Sequence, residues 1–362
     1  MADARPHRLA ALTRALDAAH LDGVLLTSLP NIRYLTGFSG SSALAFVGVR
    51  GDVLLITDFR YKTQVADEVG DFARVSIEPQ SLWAGLWQAL PQLAYLEVTG
   101  FESAHLLHRD FQRLLEGGAR WQWRPVADLV ETLRERKDAD EVARIREAAR
   151  VATSALERTL PQLRAGMTEL EVAGVLEKAL RDAGSEGFPF PSIVASGARS
   201  ALPHARSSTK RVESGDFLLL DFGAYVDGYC ADVTRTFVVG RATERQREIY
   251  EVVRCANELA ASSVRAGMRG REGDAIARDY IERRGHGEAF GHSLGHGIGL
   301  EVHEAPRLAR TTDAALPVGA VVTIEPGIYL PGWGGVRIED DVHLADAGPQ
   351  LLTQFQREMM EL

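Results

Sequence analysis

Cysteine is nearly absent from this chain: Cys230 and Cys255 are the only two among 362 residues. Two cannot build a disulfide framework, and a chain of this length does not need one, so a reducing compartment is expected. Long hydrophobic runs are missing too. The densest apolar cluster, Phe217 to Leu220, stops at Asp221, far short of the roughly 18 apolar residues of a membrane-spanning helix. Met1 to Arg8 leads into a stretch carrying Arg14 and Asp17, where a secretory signal needs an uninterrupted apolar segment. The expected location is therefore cytoplasmic. Positive charge is in deficit, with 41 Lys and Arg against 50 Asp and Glu, a net charge of −9 and a pI near 5.6. Such a chain repels a nucleic-acid backbone, so neither nucleic acid nor a membrane is expected as a partner. Glycine and proline, 34 and 14 residues, are near ordinary usage, which excludes collagen-like and low-complexity chains.

What is present is a hydrophobic fraction of 45% spread over about two domains' worth of chain. Leu9, Leu12, Leu16 and Ala19 recur at helical spacing, and Val24 to Leu26 form a short apolar run bounded by Gly23 and Pro30. The alternation continues with strands at Ala43–Val47 and Val53–Ile56, a helix over Arg60–Val69 and a strand near Val75. A helix over Leu82–Leu93 and a strand at Tyr95–Val98 follow. This pattern predicts an α/β layer domain over residues 1–131. A polar helical stretch, Glu131–Leu163, carries a charge run from Arg134 to Glu141 that reads as a solvated helix face and opens a second domain, 132–362. Within it Arg164-Ala-Gly-Met167 recurs as Arg265-Ala-Gly-Met268, and the same 101-residue offset pairs Glu171 with Glu272 and Leu180 with Ile281. A match continued through apolar positions indicates a duplicated half-domain with pseudo-twofold symmetry. Thr168 followed by Glu171 is a capping-box signature at the start of one repeated helix.

The first strand region of this second domain centres on Asp227-Gly228, a strong hairpin signal, because a type I′ turn needs positive φ at both central positions. Counting outward, Val226 pairs with Tyr229, Gly223 with Asp232 and Asp221 with Thr234. Asp221 and Asp232 then lie diagonally on one face, about 7–8 Å apart at Cα. Carboxylates so close repel unless one is protonated or a cation lies between them. Asp221 also interrupts an apolar run in which an unpaired charge is costly to bury, whereas Asp227 is a turn residue. Further on, His292, His296 and His303 fall at spacings of 4 and 7 among glycines. Neutral imidazole ligates first-row metals well, and glycine permits close backbone approach. His286 and His343 carry no assignment. Glu325 ends the apolar strand Val321–Ile324, and Glu339 sits in another strand where an apolar pattern excludes charge. Arg337, two residues from Glu339, shares its strand face, with a local ion pair as the structural alternative. Two Asp, at least one His and two Glu are too oxygen-rich for one structural zinc and suit two divalent ions of the Mn, Co or Fe type. Two such ions about 3.5–4 Å apart can share a hydroxide, which is hydrolytic chemistry.

The order of these residues resembles the pita-bread metallopeptidases. The segments Asp221-Phe-Gly, Ala231-Asp232-Val-Thr-Arg-Thr, Gly291-His-Ser-Leu-Gly-His-Gly, Thr323-Ile-Glu-Pro-Gly and Val336-Arg-Ile-Glu-Asp resemble the aminopeptidase P and prolidase branch. Asn31-Ile-Arg-Tyr34-Leu-Thr-Gly37-Phe and Ile56-Thr-Asp58-Phe-Arg60-Tyr61 resemble the creatinase-type N-terminal domain of that branch, so the resemblance spans nearly the whole chain. It implies an α/β (α+β) protein, a creatinase-type domain preceding a pita-bread domain with an internal pseudo-twofold repeat. It implies that Asp221, Asp232, His296, Glu325 and Glu339 hold two divalent metals, Mn or else Co, Zn or Fe, with Asp232 and Glu339 bridging. His204, His292 and His303 would be the outer histidines that bind substrate and stabilise the oxyanion. Glu325 would also shuttle protons around the bridging hydroxide, and Tyr329 and Arg337 would orient the ligands from behind. Asn31 is a departure, since some aminopeptidase P members carry an acidic residue there. Arg199, Arg206, Lys210 and Arg211 beside His204 read as a solvated basic loop.

The activity so implied is hydrolysis of the bond between an N-terminal residue and a following proline, by an Xaa-Pro aminopeptidase acting on small peptides. The alternatives are an Xaa-Pro dipeptidase and, behind it, a non-catalytic scaffold of the same fold. A methionine aminopeptidase is disfavoured by the N-terminal domain, and creatinase-type chemistry by the full ligand set. Relatives of this type imply a homodimer.

Overall fold

The apolar runs of the first 130 residues assemble into a six-stranded mixed sheet. In a computed structural model describing residues 3–362, the chain divides into two units that part between Arg134 and Glu135. The first unit has strands β1 (Gly23–Leu26), β2 (Ala43–Gly48), β3 (Val53–Asp58), β4 (Arg74–Glu78), β5 (Val98–Glu102) and β6 (Gln122–Val126) in the order β4-β3-β2-β1-β5-β6. Its helices are α1 (Arg5–Ala18), α2 (Leu29–Thr36), α3 (Lys62–Val69), α4 (Leu82–Ala89), α5 (His108–Gly117) and α6 (Glu131–Arg134). Leu25, Phe46, Ile56, Leu86 and Trp121 lie in its core.

Tyr95–Val98, read from the sequence as a strand, leads into β5 instead of forming it. The Asp22 carboxylate accepts the N–H groups of Glu97 and Val98, both at 2.8 Å, and delays the strand until Val98. Asn31 is fully buried: its amide nitrogen donates to Glu102 Oε1 at 2.7 Å and Glu131 Oε1 at 2.6 Å, while its Oδ1 accepts from Arg134 at 2.7 Å. One neutral amide thus separates two carboxylates, and burial holds the Glu102 carboxyl above its ordinary pKa.

The second unit shows the sequence echo as architecture. A helix pair, α7 (Ala139–Thr159) and α8 (Glu169–Asp182), precedes the sheet β7 (Ile193–Ser196), β8 (Phe217–Val226) and β9 (Tyr229–Val238). A second pair, α9 (Glu244–Ser263) and α10 (Gly270–Arg283), precedes β10 (Gly295–Gly297), β11 (Glu304–Leu308), β12 (Val321–Ile324), β13 (Gly327–Leu330), β14 (Gly334–Arg337), β15 (Asp340–Ala345) and β16 (Gly348–Leu351). Apolar residues of each helix pair pack against strands of the same half. The Thr168 capping box forms, with the Thr168 hydroxyl accepting Glu171 N–H at 3.1 Å and the Glu171 carboxylate accepting Thr168 N–H at 2.7 Å.

The β8–β9 hairpin has the register counted from the turn: Val226 faces Tyr229, Gly223 faces Asp232 and Asp221 faces Thr234. Asp227 and Gly228 have φ of +46° and +70°, the two positive values that a type I′ turn demands. In the other half the pairing is interrupted. β12 pairs with β15 up to Ile324–Asp340, and β13 pairs with β14 from Gly327–Arg337 onward, so Glu325-Pro326 and Ile338-Glu339 lie between two ladders. Pro326, which has no N–H, enforces that gap. Among the described residues no helix is long and apolar enough to cross a membrane.

The charge run Arg134–Glu141 is not a solvated helix face. The helix breaks between α6 and α7, Asp138 caps α7, and Arg134, Lys137 and Glu141 are buried. Lys137 Nζ lies 2.6 Å from Glu304 Oε1, and the Tyr229 hydroxyl donates to Glu141 Oε1 at 3.0 Å. Long-range partners removed these charges from water, which a local pattern does not report. Lys137→Ala breaks this buried ion pair and is expected to lower unfolding free energy by about 3–5 kcal/mol, measured by urea denaturation followed by circular dichroism.

Candidate functional site

The interrupted ladder and the hairpin supply opposite walls of one polar cluster in the second unit. Asp221 and Asp232 come from β8 and β9, His296 from β10, and Glu325 and Glu339 from the two gap segments. An isolated bridge, Thr234 to Glu339, joins the walls, and the Thr234 hydroxyl donates to Glu339 Oε2 at 2.6 Å. Asp232, His296 and Glu339 each present one donor atom, all within 4.8 Å of one another. His296 Nε2 is 3.9 Å from Asp232 Oδ2 and 3.4 Å from Glu325 Oε1.

The electrostatics are those of an acid-rich, buried pocket. Burial, reinforced by the neighbouring carboxylates, raises Asp232 and Glu339 well above the usual carboxylate range. Burial pushes Glu325 to about 8, against the pull of the Arg337 guanidinium. Asp221 and Asp232 each keep a buried Oδ1 with no protein hydrogen-bond partner. Buried polar atoms are ordinarily satisfied, so oxygens left over in a cluster of like charges fit a site built around cations.

The imidazoles are prepared for the same task. Burial lowers His296 to about 4, which leaves it neutral at physiological pH. Its Nδ1 lies 3.0 Å from the Gly297 carbonyl, which favours the tautomer that turns the Nε2 lone pair toward Asp232 and Glu325. His292 is likewise lowered to about 4 by burial, with Nδ1 2.8 Å from the Ser293 carbonyl and Nε2 2.8 Å from the Tyr329 hydroxyl. Tyr329 in turn accepts from Arg337 at 2.8 Å, and Arg337 donates to Asp221 and, at 3.1 Å, to the Thr234 hydroxyl. A continuous chain, His292–Tyr329–Arg337–Asp221, therefore links an outer histidine to an inner carboxylate. Arg337 serves this chain rather than a local pair with Glu339.

His303 is exposed and lies against His296, with ring centroids 4.4 Å apart and the ring planes tilted by 55°. His204, also exposed, lies close enough to depress the basicity of both His292 and His303. Of the basic residues beside His204, Arg206 and Arg211 are exposed, whereas Arg199 and Lys210 are tied down by acids. The fully buried Glu169 accepts from Ser196 N–H at 2.8 Å, Arg199 Nε at 3.0 Å and Ser208 N–H at 3.1 Å, while Lys210 pairs with Asp216 at 2.7 Å.

Several contributors escaped the sequence reading. Asp341 accepts the Asp232 N–H at 3.1 Å, and the Thr323 hydroxyl bridges His296 N–H and Glu325 Oε1, both at 3.1 Å. The acidic run Glu339-Asp340-Asp341 inside an otherwise apolar strand was the available signal for Asp341. Arg307 was missed as well: it faces His296 across the β10–β11 pair and depresses the basicity of His296 and His303.

Comparison with known proteins gives this arrangement a family. The model for metallopeptidase family M24 matches residues 143–346, and that for the creatinase/prolidase N-terminal domain matches residues 8–136. The chain belongs to metallopeptidase family M24. An M24 relative, the Xaa-Pro dipeptidase of Pyrococcus furiosus, is 36% identical over 98% of this chain and 99% of its own length. The structure of an Xaa-Pro dipeptidase from Bacillus anthracis superposes with a TM-score of 0.95 at 40% identity, covering 99% of this chain and all of that one. An X-Pro aminopeptidase structure from Thermotoga maritima follows with a TM-score of 0.90 at 37% identity, covering 96% of this chain and all of that one. The protein is thus a hydrolase of the Xaa-Pro branch of M24, with a creatinase N-terminal domain and a pita-bread catalytic domain, and membership implies divalent metal.

The raised carboxyls set a pH dependence for metal uptake. Without metal, Glu325 binds a proton in the folded chain up to about pH 8, where an unfolded glutamate has already lost it. Metal-free stability contributed by this group is therefore present at low pH and lost as pH rises through 8, and a cation replaces the proton over the same window. The melting-temperature increment produced by Mn²⁺ over chelated protein is expected to grow from pH 6 to pH 8 in thermal scans.

Proposed function

We propose that this protein is a metal-dependent Xaa-Pro dipeptidase. The observation that carries the reading is the cluster of Asp221, Asp232, His296, Glu325 and Glu339, with its unsatisfied Asp oxygens and its neutral imidazole. These five residues would hold two divalent ions, with Asp232 and Glu339 central to the set, and an oxygen-rich donor set of this kind suits Mn²⁺. Bound there, the ions would supply Lewis acidity toward the scissile carbonyl.

The chain's own residues account for the rest of the chemistry. An Xaa-Pro bond has no N–H, so proline leaves as a secondary amine that must receive a proton. Glu325, ionised once cations occupy the cluster, would take a proton from the attacking water and return it to that nitrogen. His292 is held neutral and fixed by Tyr329 and the Ser293 carbonyl, and it lines the approach beside His303 and His204, whose imidazole N–H groups would stabilise developing negative charge on the carbonyl oxygen. Tyr329 and Arg337 keep Asp221 and His292 in a constant relation.

The dipeptide preference, in place of the aminopeptidase activity expected from the sequence, is supported by the Xaa-Pro dipeptidases that match along nearly their full length. Arg307 supports it independently. Residues directly opposite in an antiparallel pair share a face, so its exposed guanidinium stands on the side of His296. A dipeptide's terminal carboxylate is one residue beyond the scissile bond and suits such a cation. Cleavage of longer Xaa-Pro-Yaa peptides is the second reading, favoured by the aminopeptidase neighbour.

Mn²⁺-loaded protein is expected to hydrolyse Ala-Pro faster than Ala-Pro-Ala and to lose both activities under a chelator. Preference for the tripeptide would make it an aminopeptidase, and cleavage of neither would favour the scaffold. Glu325→Ala should lower kcat about 10²–10⁴-fold. Arg307→Ala should raise KM for Ala-Pro about tenfold or more, the loss of a charge-assisted hydrogen bond, while leaving Ala-Pro-amide unchanged.

A further inference from the structure

Glu325 and Glu339 occupy a stretch where neighbouring strands lose their ladder. Between Ile324–Asp340 and Gly327–Arg337 no ladder pair is formed; a long backbone bond crosses the gap from Ile338 N–H to the Pro326 carbonyl at 3.4 Å, but Pro326 has no N–H to return, so carbonyls beside the gap take partners from elsewhere. Two of them are answered by a single side chain. Asn257, fully buried on α9, donates its amide nitrogen to the Ile324 carbonyl at 2.8 Å and to the Ile338 carbonyl at 3.1 Å. Those carbonyls belong to the residues immediately preceding Glu325 and Glu339. The amide has two N–H groups on one nitrogen, which matches two acceptors converging from two strands. Its Oδ1 is buried without a hydrogen-bond partner. A group that leaves its acceptor unsatisfied in the core is retained at a cost, which points to its donors as the reason for its presence.

The pseudo-twofold repeat supplies an internal control. The residue 101 positions before Asn257 is Leu156, on α7, also fully buried and part of the apolar core. It packs with strands of the β8–β9 hairpin, whose register runs unbroken from Phe217–Val238 to Val226–Tyr229 and leaves no gap to fill. The apolar residue serves where the ladder is continuous, and the amide stands where it is broken.

We infer that Asn257 is a positioning residue that sets the spacing of the two metal-binding glutamates by tying together the backbone one residue ahead of each. The inference rests on the metal-centre reading of the previous subsection. The discriminating variants are Asn257→Asp, which keeps the shape and removes the two donors, and Asn257→Leu, which copies the other half. Val253→Ala, in the same helix and the same core, controls for general loosening, since it opens a cavity without touching either carbonyl.

Mn²⁺ affinity is measured by titration calorimetry on chelator-treated, dialysed full-length protein, beside melting temperature. The expected result is a loss of about 10–100-fold in Mn²⁺ affinity for Asn257→Asp and Asn257→Leu. Val253→Ala should melt lower yet bind Mn²⁺ within twofold of the wild type. Where either Asn257 variant fails to fold, Asn257→Ser keeps one donor in a smaller side chain and should show an intermediate loss. Folded Asn257 variants with wild-type Mn²⁺ affinity would overturn the inference alone. So would a Val253→Ala loss equal to theirs, because destabilisation would then explain both. A wild-type protein that takes up no Mn²⁺ would overturn the metal-centre reading, and the inference with it.

Discussion

Like charges crowded into a buried pocket are the constraint around which the catalytic unit is organised. Asp221, Asp232 and Glu339 are buried, Glu325 is enclosed beside them, and Arg337 is the cation placed among them. One guanidinium cannot offset four carboxylates, so the pocket either retains protons or takes up cations. The shifts of Asp232, Glu325 and Glu339 express the first option, and the unsatisfied Asp oxygens express the second.

Holding such a pocket open requires that its walls do not collapse onto one another, and each wall is held by a different device. The hairpin wall is a continuous ladder whose register follows from a two-residue turn. The other wall is a broken ladder, secured by Asn257 from beneath and by the bridge to Thr234 from the side. Neutral, tautomer-fixed imidazoles face the cluster without adding charge, because burial removes the proton and a backbone carbonyl takes up the remaining N–H. Two buried asparagines, Asn31 in the first unit and Asn257 in the second, use the same chemistry of one nitrogen with two donors. Asn31 joins two carboxylates and Asn257 joins two carbonyls, so an amide keeps acceptors together without placing another charge in the core.

Some features followed from local chemistry and were therefore legible in the sequence. Asp227-Gly228 sets the turn, the turn sets the register, and the register places Asp221 and Asp232 on one face; all of these steps span fewer than twenty residues. The Thr168 capping box is local for the same reason. The charge run Arg134–Glu141 misled because its burial depends on residues more than eighty positions away, among them Asn31, Tyr229 and Glu304. Tyr95–Val98 has the apolar content of a strand, but the strand begins only at Val98, where a carboxylate distant in sequence, Asp22, takes the Glu97 and Val98 N–H groups. Arg199 looked solvated because its acid, Glu169, lies on another element.

By itself the sequence determined the family, the element types, the hairpin register and the identity of the chemically unusual residues, because charge inside an apolar strand and positive φ at a turn leave local marks. Tertiary structure alone decided which of those residues meet, which oxygens remain unsatisfied, and how Asn257 and Arg307 stand toward the cluster. Helix α9 reaches the gap only when the whole half-domain is packed, and Arg307 faces His296 only through a strand pairing that no local signal announces. The physical reason is range: turns, caps and periodicity act over a few residues, whereas burial and charge coupling are set by every element that closes over the pocket.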